Sequence, residues 1–331
     1  MSEIHIHHAD SFELESGTVL RDVRQAYVLR GELNDERDNL VVVFHSLTGS
    51  AESVGGWDSL VGPGLPIDTD RYAVLCANLL GSCYGTTGPR DVSPFPDVTP
   101  RDQARLVHRL AGELGVTSVA LAAGGSLGGM VALEWAAENP SLARSVVVFA
   151  APAAHTAHAI AWNHVQRAAV EAAGARGLEI ARMAAMITYR TADEQAARFG
   201  RRREADGGWA VASYLEHHGR KLRDRFDVDS YVALTKAMDA HDVGRGRGGV
   251  SAALGAIESR LVGVGIPGDL LYSPGDVREW TDAAGAEYRE IQSTHGHDAF
   301  LLETEQVAAI LSDALASAEP SLAFSVDGGG R

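Results

Sequence analysis

Ser126 is the residue best placed to do chemistry. It sits in Gly124-Gly125-Ser126-Leu127-Gly128, after the mostly apolar run 118–123 and before the helical pattern Met130-Val131-Ala132-Leu133-Glu134-Trp135. A G-x-S-x-G turn between a strand and a helix reverses the chain within a few residues and presents the serine hydroxyl from strained backbone. Side chains on its near neighbours would collide there, which accounts for the glycines. A serine nucleophile needs a base, and the base needs a group that orients it. The chemistry this predicts is acyl transfer through a serine ester.

On such a scaffold the acid follows the serine and the histidine comes last. Downstream, Leu261–Ile266 reads as a short buried strand that breaks at Pro267-Gly268, with Asp269 in the turn. A last strand over Glu287–Ile291 leads into Gln292-Ser293-Thr294-His295-Gly296-His297-Asp298. Asp269 competes with Asp276 in the later turn Ser273-Pro274-Gly275-Asp276, and its place directly after a strand favours Asp269. His295 competes with His297. The apolar run Ala299-Phe300-Leu301 would anchor a helix just beyond His297, so His297 is the expected base and His295 a surface or supporting histidine. The oxyanion formed during attack needs two backbone N–H donors. One is expected from Leu127, at the start of a helix whose dipole favours an anion. The other is expected from Leu47 in the loop His45-Ser46-Leu47-Thr48-Gly49, after the strand Leu40–Phe44; the plainer alternative is that His45 and Thr48 cap a turn.

These groups must be carried by a sheet. Strands are expected at 40–44, 73–77, 118–123, 145–149 and 261–266, separated by helical stretches, which predicts a mostly parallel sheet flanked by helices. With the elbow, this is an α/β-hydrolase fold. After the strand Ser145–Phe149 the rhythm stops, and 156–243 carries apolar residues at helical spacing, as in Trp162/Val165/Ala169 and Tyr231/Leu234/Met238. We therefore divide the chain into a core over 1–155, an inserted helical lid over 156–249, a second core part over 250–320 and a flexible tail over 321–331.

Several blocks then carry a family resemblance. The loop at 45–49 resembles the H-x-L-T-G loop of the homoserine O-acetyltransferase family. So do GWDSLVGPG (56–64), DTDRYAVLCANLLGSCYGTTGP (68–89), GGSLGGMVALEWA (124–136), ARMAAMITYR (181–190), SYLEHHGRK (213–221), RFDVDSY (225–231), AMDAHDVGRGRGG (237–249) and GHDAFLLE (296–303). The resemblance implies Ser126, Asp269 and His297 as the catalytic residues and Leu47 and Leu127 as oxyanion donors. It implies that Asp298 helps to hold the acceptor's amino group and that Arg182 and Tyr189 bind substrate. Their spacing of seven is about two helical turns, which places both on one face. Tyr214 is a weaker candidate. The resemblance also implies acetyl-CoA as co-substrate, L-homoserine as acceptor, a role in methionine biosynthesis and a homodimer formed through the lid. Two departures touch the rim of the site: 88–96 is shorter than the family's loop, and 171–177 lacks its longer Trp- and Tyr-containing loop.

Composition excludes other classes. A formal net charge of −15 is unfavourable for nucleic acid or anionic lipid, and it would repel a polyanionic co-substrate unless the mouth of the site is locally basic. Arg245 and Arg247 among glycines carry too little charge for a nucleic-acid patch. The two cysteines, Cys76 and Cys83, make no disulfide framework. With no apolar run long enough to span a bilayer and no charged-then-apolar leader, a cytoplasmic protein is expected. His5, His7 and His8 read as a disordered or strand-edge terminus rather than a metal site, and no bound metal or dinucleotide is expected.

Overall fold

The computed structural model describes residues 3–317; the tail expected at 321–331 lies outside them. The strands of the main sheet are β1 (His5–Glu13), β2 (Val19–Arg30), β3 (Leu40–Phe44), β4 (Ala73–Ala77), β5 (Val119–Gly125), β6 (Ala143–Phe149), β7 (Arg260–Gly265) and β8 (Glu287–Glu290). They lie in the order β1-β2-β4-β3-β5-β6-β7-β8. From β4 to β8 all neighbours are parallel, while β1 and β2 form an antiparallel edge. The inner parallel strands, β3 to β7, are buried on both faces over most of their length, which is why β3 reads LVVVF with no alternation.

The N-terminal hairpin is the part of the sheet that periodicity did not reveal. On β1, outward residues such as His8 and Asp10 alternate with buried His7 and Ala9, and His7 Nε2 meets Glu113 Oε2 at 3.0 Å. His5, His7 and His8 thus belong to a strand at the sheet edge.

Two helices stand next to the central strands. Helix α1 (Pro100–Glu113) starts with a capping box in which Thr99 and Asp102 satisfy each other's backbone N–H. Helix α2 (Leu127–Glu138) is apolar nearly all round because it is enclosed nearly all round, by the sheet and by α1. Its close approach to the sheet requires Gly128: a Cβ there would lie 2.1 Å from the Phe44 carbonyl oxygen.

Between β6 and β7 the chain is helical, with α3 (Ala157–Thr188), α4 (Ala192–Phe199), α5 (Ala210–Arg223), α6 (Val228–Asp239) and α7 (Val250–Gly255). At 171–177 α3 runs through, broken only by a kink at Gly174 (φ 54°, ψ −124°). The return to the sheet is tied by buried charge. Glu134, fully buried on α2, accepts from Arg101 Nε at 3.0 Å and from Arg247 at 2.7 Å, while Arg245 pairs with Glu15. These two arginines therefore serve the fold, and each is already neutralised. Helix α8 (Pro274–Ala284), the short α9 (Ala299–Leu302) and α10 (Thr304–Ser317) are the remaining helices among the described residues.

Candidate active site

Backbone geometry presents Ser126. It has φ 57° and ψ −126°, between the end of β5 and the start of α2. A non-glycine residue with positive φ persists only where its surroundings over-determine it. Here its N–H donates to the Phe149 carbonyl at 2.9 Å, and its carbonyl accepts from the Met130 N–H at 3.0 Å. Its side chain makes no capping bond to α2, so the hydroxyl is not consumed in holding the helix. The glycine at 124 is required by space, since a Cβ there would meet the Gly128 carbonyl oxygen at 2.3 Å.

Asp269 is delivered by a turn. Ile266-Pro267-Gly268-Asp269 closes with the Asp269 N–H on the Ile266 carbonyl at 3.1 Å, and Gly268 takes φ 81°. Proline followed by a positive-φ glycine is the pattern of a type II turn. One carboxylate oxygen, Oδ1, accepts from the Leu271 N–H at 2.8 Å and the Tyr272 N–H at 3.1 Å. The other, Oδ2, lies 2.7 Å from His297 Nδ1.

His297 is buried, with Tyr189, Tyr272 and Phe300 around its ring at centroid distances of 5.6, 5.4 and 5.6 Å. Among the described residues its Nε2 has no hydrogen-bond partner. Burial alone would push its pKa down. The charge and hydrogen bond of Asp269, with help from Asp298, outweigh that, and the net shift is upward from 6.5. A base works only when neutral. If His297 is that base, activity must rise with pH through a midpoint above 6.5 and then level off. A kcat/KM profile with its acid limb centred at or below 6.5 would contradict the assignment.

The competing residues have other partners. His295 Nδ1 lies 3.2 Å from Glu194 Oε1, and Asp276 completes a capping box with Ser273 at the start of α8.

The loop at 45–49 is set by His45, which is fully buried. Its Nε2 accepts from the Leu79 N–H at 3.1 Å, so the ring proton sits on Nδ1 and donates to the Ser46 carbonyl at 2.8 Å. Burial drives its pKa down to about 4 against that bond, so the ring is neutral. The Gly49 N–H donates to the same carbonyl at 2.8 Å. The Ser46 carbonyl and the Leu47 N–H share one trans peptide plane and point in opposite directions. Drawing the carbonyl toward His45 therefore turns the Leu47 N–H the other way. Among the described residues, neither the Leu47 nor the Leu127 N–H has a partner within the chain.

A cavity of about 70 Å³ joins these parts, walled by Leu47, Ser126, Arg182, Tyr189, His297 and Asp298 among others. Arg182 and Tyr189 share a face of α3 and its cap, with the guanidinium carbon 5.3 Å from the Tyr189 ring centroid. No carboxylate among the described residues pairs with Arg182. Asp298 Oδ2 lies 3.1 Å from an Arg190 nitrogen. Burial raises the Asp298 pKa, and Arg190 and Arg182 oppose it. Arg190, outside the cavity wall but paired with its Asp298, is a residue that sequence reasoning missed. Its only signal was its place beside Tyr189, and just past a helix end spacing does not show where a side chain points. Tyr214 is absent from this wall; it stacks with Phe199, His218 and Arg198.

The chain resembles known proteins along most of its length. Residues 39–176 match the alpha/beta hydrolase fold family. It is 42% identical to the homoserine O-acetyltransferase of Thermobifida fusca, covering 93% of this chain and 92% of that one. It is 44% identical to that of Thermus thermophilus, covering 91% and 88%. The crystal structure of homoserine O-acetyltransferase from Staphylococcus aureus superposes with a TM-score of 0.84 at 29% identity, covering 95% of each chain. Esterase E22, at 20% identity and a TM-score of 0.86, shares the fold. On this evidence of sequence and architecture together, the chain belongs to the homoserine O-acetyltransferase family.

Proposed function

We propose that the chain transfers an acetyl group from acetyl-CoA to the hydroxyl of L-homoserine by way of an acetyl-Ser126 ester. What carries this reading is His297, held through Nδ1 by Asp269 at 2.7 Å, with a buried, unpartnered Nε2 in the pocket that Ser126 lines. His297 takes the Ser126 proton as Oγ attacks the thioester carbonyl. The Leu47 and Leu127 N–H groups receive the oxyanion. The C–S bond breaks, the thiol leaves with the proton from His297, and the ester remains. The homoserine hydroxyl then attacks the ester and gives its proton to His297, which passes it to Ser126. The product is O-acetylhomoserine, and the kinetics are ping-pong. Methionine biosynthesis is the route this reaction feeds, and acetyl-CoA acts as a co-substrate rather than a resident cofactor.

Water must lose to the acceptor. The aromatic wall around His297 and the small cavity support that, and Arg182 and Asp298 give an amino acid a cation and an anion to bind between. Arg182→Met is expected to raise the KM for homoserine by about tenfold to a hundredfold, the loss of a charge-assisted contact. Asp298→Ala is expected to do the same through the amino group. The rate of thiol release in a single turnover without acceptor should hardly change in either variant. Unaltered acceptor kinetics in both would remove them from the substrate site.

The direct test is thiol release from acetyl-CoA and succinyl-CoA, each with L-homoserine, L-serine or neither, with products identified by mass. Release that needs homoserine and yields its acetyl ester supports the reading. Free acetate without acceptor would make the chain a hydrolase. Preference for succinyl-CoA would give Arg182 the acyl carboxylate instead. Two associations complete the proposal. Exposed Val165, Ile180 and Ile187 on α3 suit a homodimer formed through the lid, and a monomer by light scattering would remove that claim. A cytoplasmic setting suits free thiols such as Cys76 and Cys83, since reducing compartments keep them so. Among the described residues no helix is long and apolar enough to cross a membrane.

A further inference from the structure

Seven of the thirteen arginines between β6 and β7 are held by carboxylates: Arg167, Arg176, Arg190, Arg220, Arg223, Arg245 and Arg247. Arg225 is not among them, and it is set apart by what it holds instead. No carboxylate pairs with it among the described residues. Its guanidinium instead spans three neutral oxygens on two other segments. NH1 donates to the Thr48 carbonyl at 2.8 Å and to the Tyr84 hydroxyl at 2.7 Å, and NH2 donates to the Thr48 hydroxyl at 3.2 Å. Thr48 has no other hydrogen bond in the described chain, and it follows Leu47 directly.

The arginine is delivered by a rigid corner between α5 and α6. Its own N–H donates to the Leu222 carbonyl at 3.0 Å. Next to it, buried Phe226 packs its ring edge-on against Tyr84 at 5.6 Å, and Asp227 caps α6 through the Ser230 N–H at 2.9 Å. The turn at 46–49 thus has two handles. His45 fixes the peptide before Leu47 from inside the core, and Arg225 fixes the peptide after Thr48 from the lid. The peptide between them has little freedom left. Donors to an oxyanion contribute most when they need no reorganisation at the moment of reaction.

We propose that Arg225 is a positioning residue for acyl transfer: it latches the oxyanion loop to the lid, so that the Leu47 N–H is held in place only when the lid is seated. This rests on the acyl-serine reading above. A planar fork suits the task because it meets several acceptors at fixed angles, which a lysine ammonium cannot reproduce.

The test uses the full chain and p-nitrophenyl acetate, whose acylation of Ser126 needs neither CoA nor homoserine. Arg225→Met, checked for an unchanged fold by thermal melting, should slow the acylation burst by roughly tenfold to a hundredfold, short of the ~10²–10³ for losing an oxyanion donor outright. The affinity for a methyl trifluoromethyl ketone, which forms a tetrahedral adduct on Ser126, should fall by the same factor. The KM for homoserine should stay as it was. Arg225→Lys should recover part of the loss. Thr48→Val should cost less alone and nothing further in the Arg225→Met background, because both act through one contact. A burst rate and ketone affinity within about twofold of the unaltered chain would overturn the inference, given how much each oxyanion donor contributes. So would a defect confined to the KM for acetyl-CoA, which would make Arg225 a ligand of the donor's phosphates. No burst from the unaltered chain would take down the acyl-serine reading, and the latch with it.

Discussion

Ser126→Ala should give a folded protein that releases no thiol above background. The expected fall in kcat is about a millionfold, the scale seen when a serine nucleophile is removed from a comparable constellation. Stability should barely move, for a local reason. The Ser126 side chain makes no capping bond, so its removal leaves no buried donor or acceptor stranded on α2. The backbone bonds that hold the positive φ, from Ser126 N–H to Phe149 and from Met130 N–H to Ser126, involve no side-chain atom. A melting temperature within a few degrees of the unaltered chain is therefore expected, since each kcal/mol would shift it by only ~2–4 °C in a chain of this size. Single-turnover thiol release and calorimetry check both parts. Substantial turnover by a folded variant would mean that the acyl group never rests on Ser126.

Asp269→Asn should cost about 10⁴-fold in kcat while leaving the pocket's shape intact. The argument lies in the hydrogen bonds already around the acid. Oδ1 receives two backbone N–H groups, from Leu271 and Tyr272, and Oδ2 receives His297 Nδ1–H. In the amide, the oxygen must stay with the two N–H groups, because an NH₂ there would face two donors. The NH₂ then faces Nδ1, which can only accept it. The ring proton moves to Nε2, the atom that receives the Ser126 proton in the proposed reaction, and that base would be blocked by its own tautomer. The acceptor's KM should hold, because Arg182 and Asp298 are untouched. A loss smaller than about tenfold would show that the tautomer of His297 is not what Asp269 controls, given the size of the tautomer effect elsewhere.

Much of the frame was legible in the chain because its signals are local. The runs 40–44 and 73–77 are strands to the residue, since a strand buried on both faces must be apolar throughout and a turn must end it. The elbow was legible because only glycine fits at 124 and 128, so that steric demand is written in the residue types. The N-terminal hairpin was less so. Its outer strand has polar residues on one side and paired ones such as His7 on the other, so its pattern resembles a terminus in water.

The candidate site groups could be named from the chain in the same way: a serine at an elbow, an aspartate after Pro-Gly, a histidine ahead of an apolar run. The pairing among them did not. That His297 and not His295 faces Asp269, that Asp276 is spent on a helix cap, that Arg190 meets Asp298 and that Arg225 reaches the loop at 45–49 are contacts between residues 28, 3, 108 and 177 positions apart. Only the helix cap is close enough along the chain for local geometry to settle it. The others depend on where the sheet and the helices between β6 and β7 place loops that carry no pattern of their own. Residue types and spacing therefore determine which chemistry the chain can attempt, because propensity and sterics act between neighbours. Which donor meets which acceptor was decided by packing, since hydrogen-bond distance and direction exist only once distant segments are brought together.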